Sequence, residues 1–437
     1  MLLEFTVKNY KSFKDAQTLS LIATKDDAHP EALIHPDPKV FDGAVLKCVG
    51  IFGPNASGKS NLVAALGQFR RLIRDAYVGD RVRDVSYTPF RLDSESQNAA
   101  SVFELHFIYE DRRFAYEVGI SRRTQVESER LLEYSGSRRH RTLFERSEPN
   151  ASTMRFPAWE GRAKEIAEQT RTDRLFLSTA AQLNHPFAWS LQDGILGQVK
   201  TADSMPSMWG SLDTTSRLGL TLAMGSRDVH ERIQNFIRHA DLGLSEVRII
   251  DHADPGKPMM TATQTGSDGV GHDLQSQSHS FEPRFIHQGA GTDGLTVEAE
   301  FGYYEESEGT QALYSITTLL LDALHAGRTV ALDELGSNFH SALSAEIVSA
   351  FSSAKNTTGA QLIFTSHDTT LMDLDLLRRD QIWLTSKGRS GATSLYSLSD
   401  LKGVRKDLDV QANYLAGRFG AVPFLDDLFR GEGANEP

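Results

Sequence analysis

Residues 45–73 read VLKCVGIFGPNASGKSNLVAALGQFRRLI, and three textures follow one another there without a gap. Val45 to Phe52 is an apolar, β-rich run. It leads directly into Gly53-Pro54-Asn55-Ala56-Ser57-Gly58-Lys59-Ser60, a full G-x-x-x-x-G-K-[ST] pattern. From Lys59 to about Tyr77 the apolar residues Leu62, Leu66, Phe69 and Ile73 recur at spacings of three and four, which predicts one buried helical face. Strand, glycine-rich turn and helix in this order describe a phosphate-binding loop. The glycines let the backbone curl until successive N–H groups point inward, and the helix adds its positive N-terminal end. Lys59 would bring a point charge to the β- and γ-phosphates of ATP, the Ser60 hydroxyl would ligate Mg2+, and Asn61 continues the nucleotide-contacting stretch.

On the N-terminal side, Leu3, Phe5 and Val7 alternate as in a strand, and residues 101–120 (SVFELHFIYEDRRFAYEVGI) alternate around Glu110-Asp111 as in a hairpin. The first 148 residues therefore read as a strand-rich lobe with one helix. Residues 149–290 change to helical periods (AKEIAEQT, VHERIQNFIRHADL) and then to a Pro-, Gly-, Ser- and Gln-rich stretch over 252–282, the composition of a loop or domain junction. Residues 291–437 alternate helix and strand: Gln311–Ala326 helical, Thr329–Leu332 strand, Ser341–Ser353 helical, Gln361–Thr365 strand. That order predicts an α/β core with a parallel sheet.

Two strand tips in this last third carry chemistry. Thr329-Val330-Ala331-Leu332 ends in Asp333-Glu334, where one acid suits metal coordination through water and the next suits polarising an attacking water. Leu362-Ile363-Phe364-Thr365 ends in Ser366-His367-Asp368, where the histidine could hydrogen-bond a γ-phosphate or the attacking water.

The order of these parts resembles the ABC-type ATPase heads of the SMC, RecF and OLD-like proteins, and more closely the AAA family-15 ATPases of bacterial anti-phage defence loci. The resemblance is carried by MLLEFTVKNYKSFKD, GPNASGKSNLVAAL, VALDELGSNFH, IFTSHD, RRDQIWL and NYLAGRFGAVPF. It implies an ABC-type ATPase head, that is, a P-loop core with an antiparallel β lobe, interrupted by a helical insertion. It also implies that Lys11 and Ser12 lie in an N-terminal turn approaching the nucleotide, although the family usually has arginine at the position of Lys11. In such ATPases a signature loop of a second subunit completes each site, and Ser307-Glu308-Gly309-Thr310-Gln311 is its counterpart here. Ser307 and Gly309 would meet the opposite nucleotide; an ordinary helix N-cap at Ser307 or Thr310 is the plainer alternative. Gly336-Ser337-Asn338-Phe339-His340 corresponds to the D-loop, and Gln182 is the candidate for the glutamine that senses Mg2+.

The resemblance further implies a homodimer or higher oligomer and a separately encoded effector such as a Toprim-type nuclease. The alternative is a RecF- or SMC-like ATPase that clamps DNA. A net charge of −12 over 437 residues argues against general polyanion binding, so DNA contact would need a local basic patch. Arg138-Arg139-His140-Arg141 is one candidate, with a solvated hairpin edge as the other reading. Asp373-Leu374-Asp375 has the D-x-D form of a Toprim metal site but sits directly before the family's RRDQ segment. Tyr10, Phe13 and Phe90 fit either a core or a nucleotide flank. The single cysteine, Cys48, excludes an internal disulfide, and no apolar run of about 18 residues is present, which fits a soluble cytoplasmic chain with no membrane partner.

Overall fold

The computed structural model describes residues 1–75, 87–122, 125–136, 139–150, 153–202, 243–254, 278–290, 295–337, 340–405 and 408–421. The chain divides into two compact units, Met1–Ser204 with Ala323–Pro437, and Met205–Asp322.

The first unit opens with strands β1 (Leu2–Lys8) and β2 (Gln17–Ser20), a short pair β3 (Leu33–Ile34) and β4 (Val45–Leu46), then β5 (Cys48–Phe52) and helix α1 (Lys59–Asp75). Four long strands come after them: β6 (Ser101–Tyr109), β7 (Arg112–Ile120), β8 (Val126–Ser135) and β9 (Arg139–Arg146). They form an antiparallel sheet in the order β2-β1-β6-β7-β8-β9. Glu110 and Asp111, both at positive φ (47° and 53°), make the two-residue turn between β6 and β7, as the alternation around them predicts. Three helices come next, α2 (Ala163–Gln169), α3 (Phe176–Gln182) and α4 (Pro186–Gln198), and then β10 (Val199–Ala202).

The second unit holds β11 (Leu244–Asp254), β12 (Ser278–Ala290) and β13 (Thr296–Gly302), an antiparallel sheet in that order, and most of helix α5 (Glu308–Ala326). Phe285 of β12 meets Tyr314 of α5 edge-on at 5.4 Å between ring centres, inside a small core of its own. This sheet departs from the loop expected over 252–282: the two ends of that stretch are strand, and 255–277 lie outside the described residues. β13 is exposed at all but its last residue, so no apolar–polar alternation marks that strand. The helical run expected at 229–242 also lies outside the described residues.

The chain then returns to the first unit through β14 (Thr329–Leu332), α6 (Ser341–Ser352), β15 (Gln361–Thr365), β16 (Ile382–Lys387), β17 (Thr393–Ser397) and α7 (Val410–Leu415). Here the second sheet runs β10-β14-β15-β5-β16-β17, parallel except for β17. β14, β15 and β5 are buried along their whole length, which explains why they read as continuous apolar runs instead of alternating ones. The apolar face of α1 is buried as its spacing predicts: Phe69 stands 6.1 Å from Phe5 and 5.9 Å from Tyr116 of the antiparallel sheet, and the helix also touches β10 and β15.

Two buried polar groups join the sheets and loops of this unit. Gln361, fully buried, donates through Nε2 to the carbonyls of Leu2 (2.9 Å) and Leu46 (3.1 Å) and accepts the Leu2 N–H (2.7 Å). Its amide thus ties β1 of one sheet to β15 of the other at their starting ends. Arg378 and Asp380 form a bidentate ion pair at 2.9 Å in the interior; the guanidinium also donates to the Asp26 and Ala28 carbonyls, and Asp380 accepts from Thr24. The RRDQ segment is therefore a clamp on residues 24–28. Among the described residues no helix is long and apolar enough to cross a membrane.

Candidate functional site

β5, β14 and β15 are parallel, so their C-terminal ends share one edge of the sheet, the edge where α/β sheets bind ligands. β5 feeds the loop 53–58, β14 leads into Asp333-Glu334, and β15, which lies between them, leads to His367. The loop is held from outside by hydroxyls. Ser57 Oγ lies 2.6 Å from Thr385 Oγ1, and Thr393 Oγ1 lies 2.7 Å from the Ser57 carbonyl and 2.8 Å from Ser12 Oγ. These contacts explain the two glycines. A Cβ on Gly53 (φ +153°) would come within 2.4 Å of Thr385 Oγ1, and one on Gly58 (φ +112°) within 2.3 Å of Thr393 Oγ1. Ala56 also takes a left-handed φ of 61°, so the curl extends over the whole loop. Pro54, Asn55 and Ala56 form its outer rim, Asn55 and Ala56 exposed.

Lys59 is buried, and its Nζ donates to the carbonyls of Gly53 (2.8 Å) and Pro54 (3.1 Å) and stands 3.5 Å from His367 Nδ1. Burial pushes its pKa down to about 8, and the charges of Asp333 and Glu334 pull it partly back up. The same environment lowers His367, first by burial and then by the Lys59 charge. With a cationic donor facing Nδ1, the ring proton belongs on Nε2, and a neutral imidazole is left to donate from there.

One strand over, Thr365 Oγ1 contacts Asp333 Oδ1 at 2.5 Å and accepts the Glu334 N–H at 2.8 Å. Asp333 is half-buried with one carboxylate oxygen on Thr365, and Glu334 is exposed, with its backbone at a left-handed φ of 57°. Ser60, exposed in the first turn of α1, supplies a hydroxyl beside the loop. A curled loop that no Cβ could enter, a buried lysine, a hydroxyl and a half-committed carboxylate are the donor set that a triphosphate with Mg2+ requires. Among the described residues no group of three His, Cys, Asp or Glu side chains is placed to hold a metal alone. Such a cation would take Ser60, Asp333 and phosphate oxygens.

The N-terminal turn reaches this site. Ser12 accepts from Asn61 Nδ2 at 2.7 Å and its carbonyl receives the Thr393 N–H at 2.8 Å. Lys11 is exposed next to it, at a left-handed φ of 49°. Gln182 does not reach it. Ser178, one turn earlier on α3, donates to the Ile73 carbonyl, which is about 20 Å along α1 from Lys59 at 1.5 Å per residue. α3 is anchored there because buried Glu129 accepts the N–H groups of Phe176 (2.6 Å) and Leu177 (3.0 Å) at its first turn. Gln182 is thus an exposed helix-end residue far from Ser60.

Ser307 and Gly309 belong to the second unit. Ser307 caps α5, its Oγ accepting the Thr310 N–H at 3.1 Å, so the plainer N-cap role is realised and the start of a 19-residue helix stands exposed beside it. Of the D-loop, Gly336 and Ser337 are described and Asn338 and Phe339 are not. Asp373 accepts the Asp375 N–H at 2.9 Å in a local turn, and Arg141 pairs with Glu133 at 2.8 Å on the edge strand β9. Thr365, Thr385 and Thr393 are the site residues that sequence reading missed. Their only signal is a hydroxyl within or beside an apolar strand run.

Because the Lys59 pKa falls to about 8 from the ordinary lysine value of 10.5, the ammonium is half charged near pH 8 and progressively neutral above it. A bound triphosphate favours the charged form, so binding takes up a proton at higher pH. Affinity for ATP in EDTA is expected to fall as pH rises from 7 to 9.5. An affinity that stays flat across that range in a fluorescence titration would contradict this account of Lys59.

A family model described as "AAA domain, putative AbiEii toxin, Type IV TA system" matches residues 48–373. No curated protein matches the chain. Similar solved structures include the SMC head domain from Thermotoga maritima, with 13% identity, 91% of this chain and 98% of that one covered, and a TM-score of 0.36. They also include the SmcHead bound to the C-winged helix domain of ScpA, with 13% identity, 91% and 97% covered, and a TM-score of 0.43. The family match begins in the strand that feeds Gly53 and ends in the turn after His367, so it takes in the loop, the acidic strand tip and the histidine together, and the chain belongs to that family of ATPase domains.

Proposed function

We propose that the chain binds and hydrolyses ATP with Mg2+, and that two copies close on the nucleotide to control a separately encoded effector in anti-phage defence. The observation that carries hydrolysis is the shared sheet edge. Lys59 stands 3.5 Å from His367, and Thr365 of the same strand holds Asp333 and Glu334. When bound, Mg2+ neutralises phosphate charge and orients the phosphate oxygens. Lys59 holds the phosphates, Glu334 accepts hydrogen bonds from the attacking water and orients it, and His367 donates to the transferring group. Closure of two copies is supported by Ser307 and Gly309 at the exposed start of α5, where a hydroxyl and helix N–H groups can meet a neighbour's γ-phosphate. Control of an effector such as a Toprim-type nuclease is supported by the sequence resemblance, and the toxin–antitoxin wording of the family description fits a defence setting. Arg141 is bound to Glu133 and the net charge is −12, which weighs against the DNA-clamping alternative.

The test is turnover and mass together. Purified chain is expected to release phosphate from Mg-ATP, and its mass by light scattering is expected to double or more with ATP. A Ser307→Arg variant should bind ATP normally and stay at the lower mass. A chain that never releases phosphate is no ATPase; one that hydrolyses ATP without any change in mass does not act by closure.

A further inference from the structure

We propose that Thr365 is a positioning residue that sets both acids of the site through one hydroxyl, and so governs how strongly Mg2+ tightens nucleotide binding. The inference rests on the ATPase reading above and goes beyond it by assigning a role to a residue that touches neither nucleotide nor metal.

Regular pairing of β14 with β15 ends at Leu332 opposite Phe364. Contact resumes at Leu335, whose N–H reaches the Thr365 carbonyl at 2.8 Å. Between these points Asp333 and Glu334 leave the ladder, and Glu334 adopts a left-handed φ of 57°, an unfavourable backbone state for a residue with a side chain. Leaving the ladder strips the Glu334 N–H of its strand partner. Thr365 Oγ1, fully buried, accepts it at 2.8 Å and contacts Asp333 Oδ1 at 2.5 Å.

A hydroxyl has one proton, and the Glu334 N–H occupies a lone pair. The hydroxyl proton is then donated to Asp333 Oδ1, which fixes that carboxylate oxygen against β15. One atom thus fixes the metal-facing direction of Asp333 and the backbone state that points Glu334 into solvent. Ser366 braces the same turn by donating to the Leu335 carbonyl at 2.7 Å. Partners that orient a metal-binding carboxylate in this way typically change metal affinity by about 10- to 100-fold when removed.

The experiment uses the full chain with a fluorescent ATP analogue that cannot be hydrolysed at its β,γ-bridge, titrated first in EDTA and then with Mg2+. Wild type is expected to bind in EDTA and more tightly with Mg2+. Thr365→Val should bind in EDTA within about threefold of wild type and require at least about tenfold more Mg2+ for the same gain. Thr365→Ser, which retains the hydroxyl, should restore the gain to within about threefold. The proposal is overturned if the valine variant keeps the full Mg2+ gain, if valine and serine lose it equally, or if valine loses binding in EDTA as well, since the loop itself would then be disturbed. A wild-type chain that binds no analogue at all overturns the ATPase reading along with it, a result distinct from each of these.

Discussion

Replacing Lys59 by alanine is expected to lower ATP turnover by about a thousandfold, the scale seen when a preorganised donor to developing charge is removed. Nucleotide binding in EDTA should weaken as well. The ammonium stands in a buried position between the Gly53 and Pro54 carbonyls, with Asp333 and Glu334 close enough to shift its proton affinity. Without it, two carboxylates remain facing the place of a triphosphate, and like charge opposes binding. Arginine should not rescue: its planar fork is larger than the ammonium that the loop encloses, and its donors point in fixed directions. Phosphate release and analogue binding measured on both variants decide the matter. An alanine variant within threefold of wild type in both would show that the loop around Gly53 and Gly58 does not hold the phosphates.

The second large effect is expected at Glu334. Glutamine there should lower turnover by about 10²- to 10⁴-fold, the range for loss of a positioned general base, while analogue binding stays equal or tightens because one negative charge is gone. The substitution is nearly isosteric, and the side chain is exposed, so thermal stability should not move. Under the proposed closure, ATP should also accumulate the higher-mass form of this variant, since hydrolysis no longer reopens it. Unchanged turnover would mean that another group orients the water. Retained binding with lost turnover separates Glu334 from Lys59, whose removal affects both.

The residues in these two predictions were legible for different reasons. Lys59 belongs to a contiguous pattern whose chemistry is local: eight successive residues must curl one way, and the glycines that permit it are visible in the string. Asp333, Glu334 and His367 were legible because buried parallel strands read as short apolar runs, and the residues just past the end of such a run lie at the ligand-binding edge. Ser12 was drawn in by resemblance, and the structure supplies its physical link through Asn61 and Thr393. Gln182 shows the limit. An apolar stretch with a glutamine after it has no local feature that says which end of α1 it will meet, and that choice is made by Glu129 at the start of α3. In the sheet β11-β12-β13, the strand β13 is exposed at all but its last residue and carries no period to read.

The order of residues alone therefore determined the loop, its helix and the acidic and histidine strand tips, since each depends on neighbours within a few positions, and the family of the chain, since it is read from several such local segments in order. Tertiary structure alone decided that β15 lies between β5 and β14, that Thr385 and Thr393 press on the two glycines, and that one threonine hydroxyl serves both acids. These contacts join residues separated by 31 to 336 positions. A hydroxyl bond carries no sequence spacing of its own; it forms only where packing of the sheet has already brought donor and acceptor within reach.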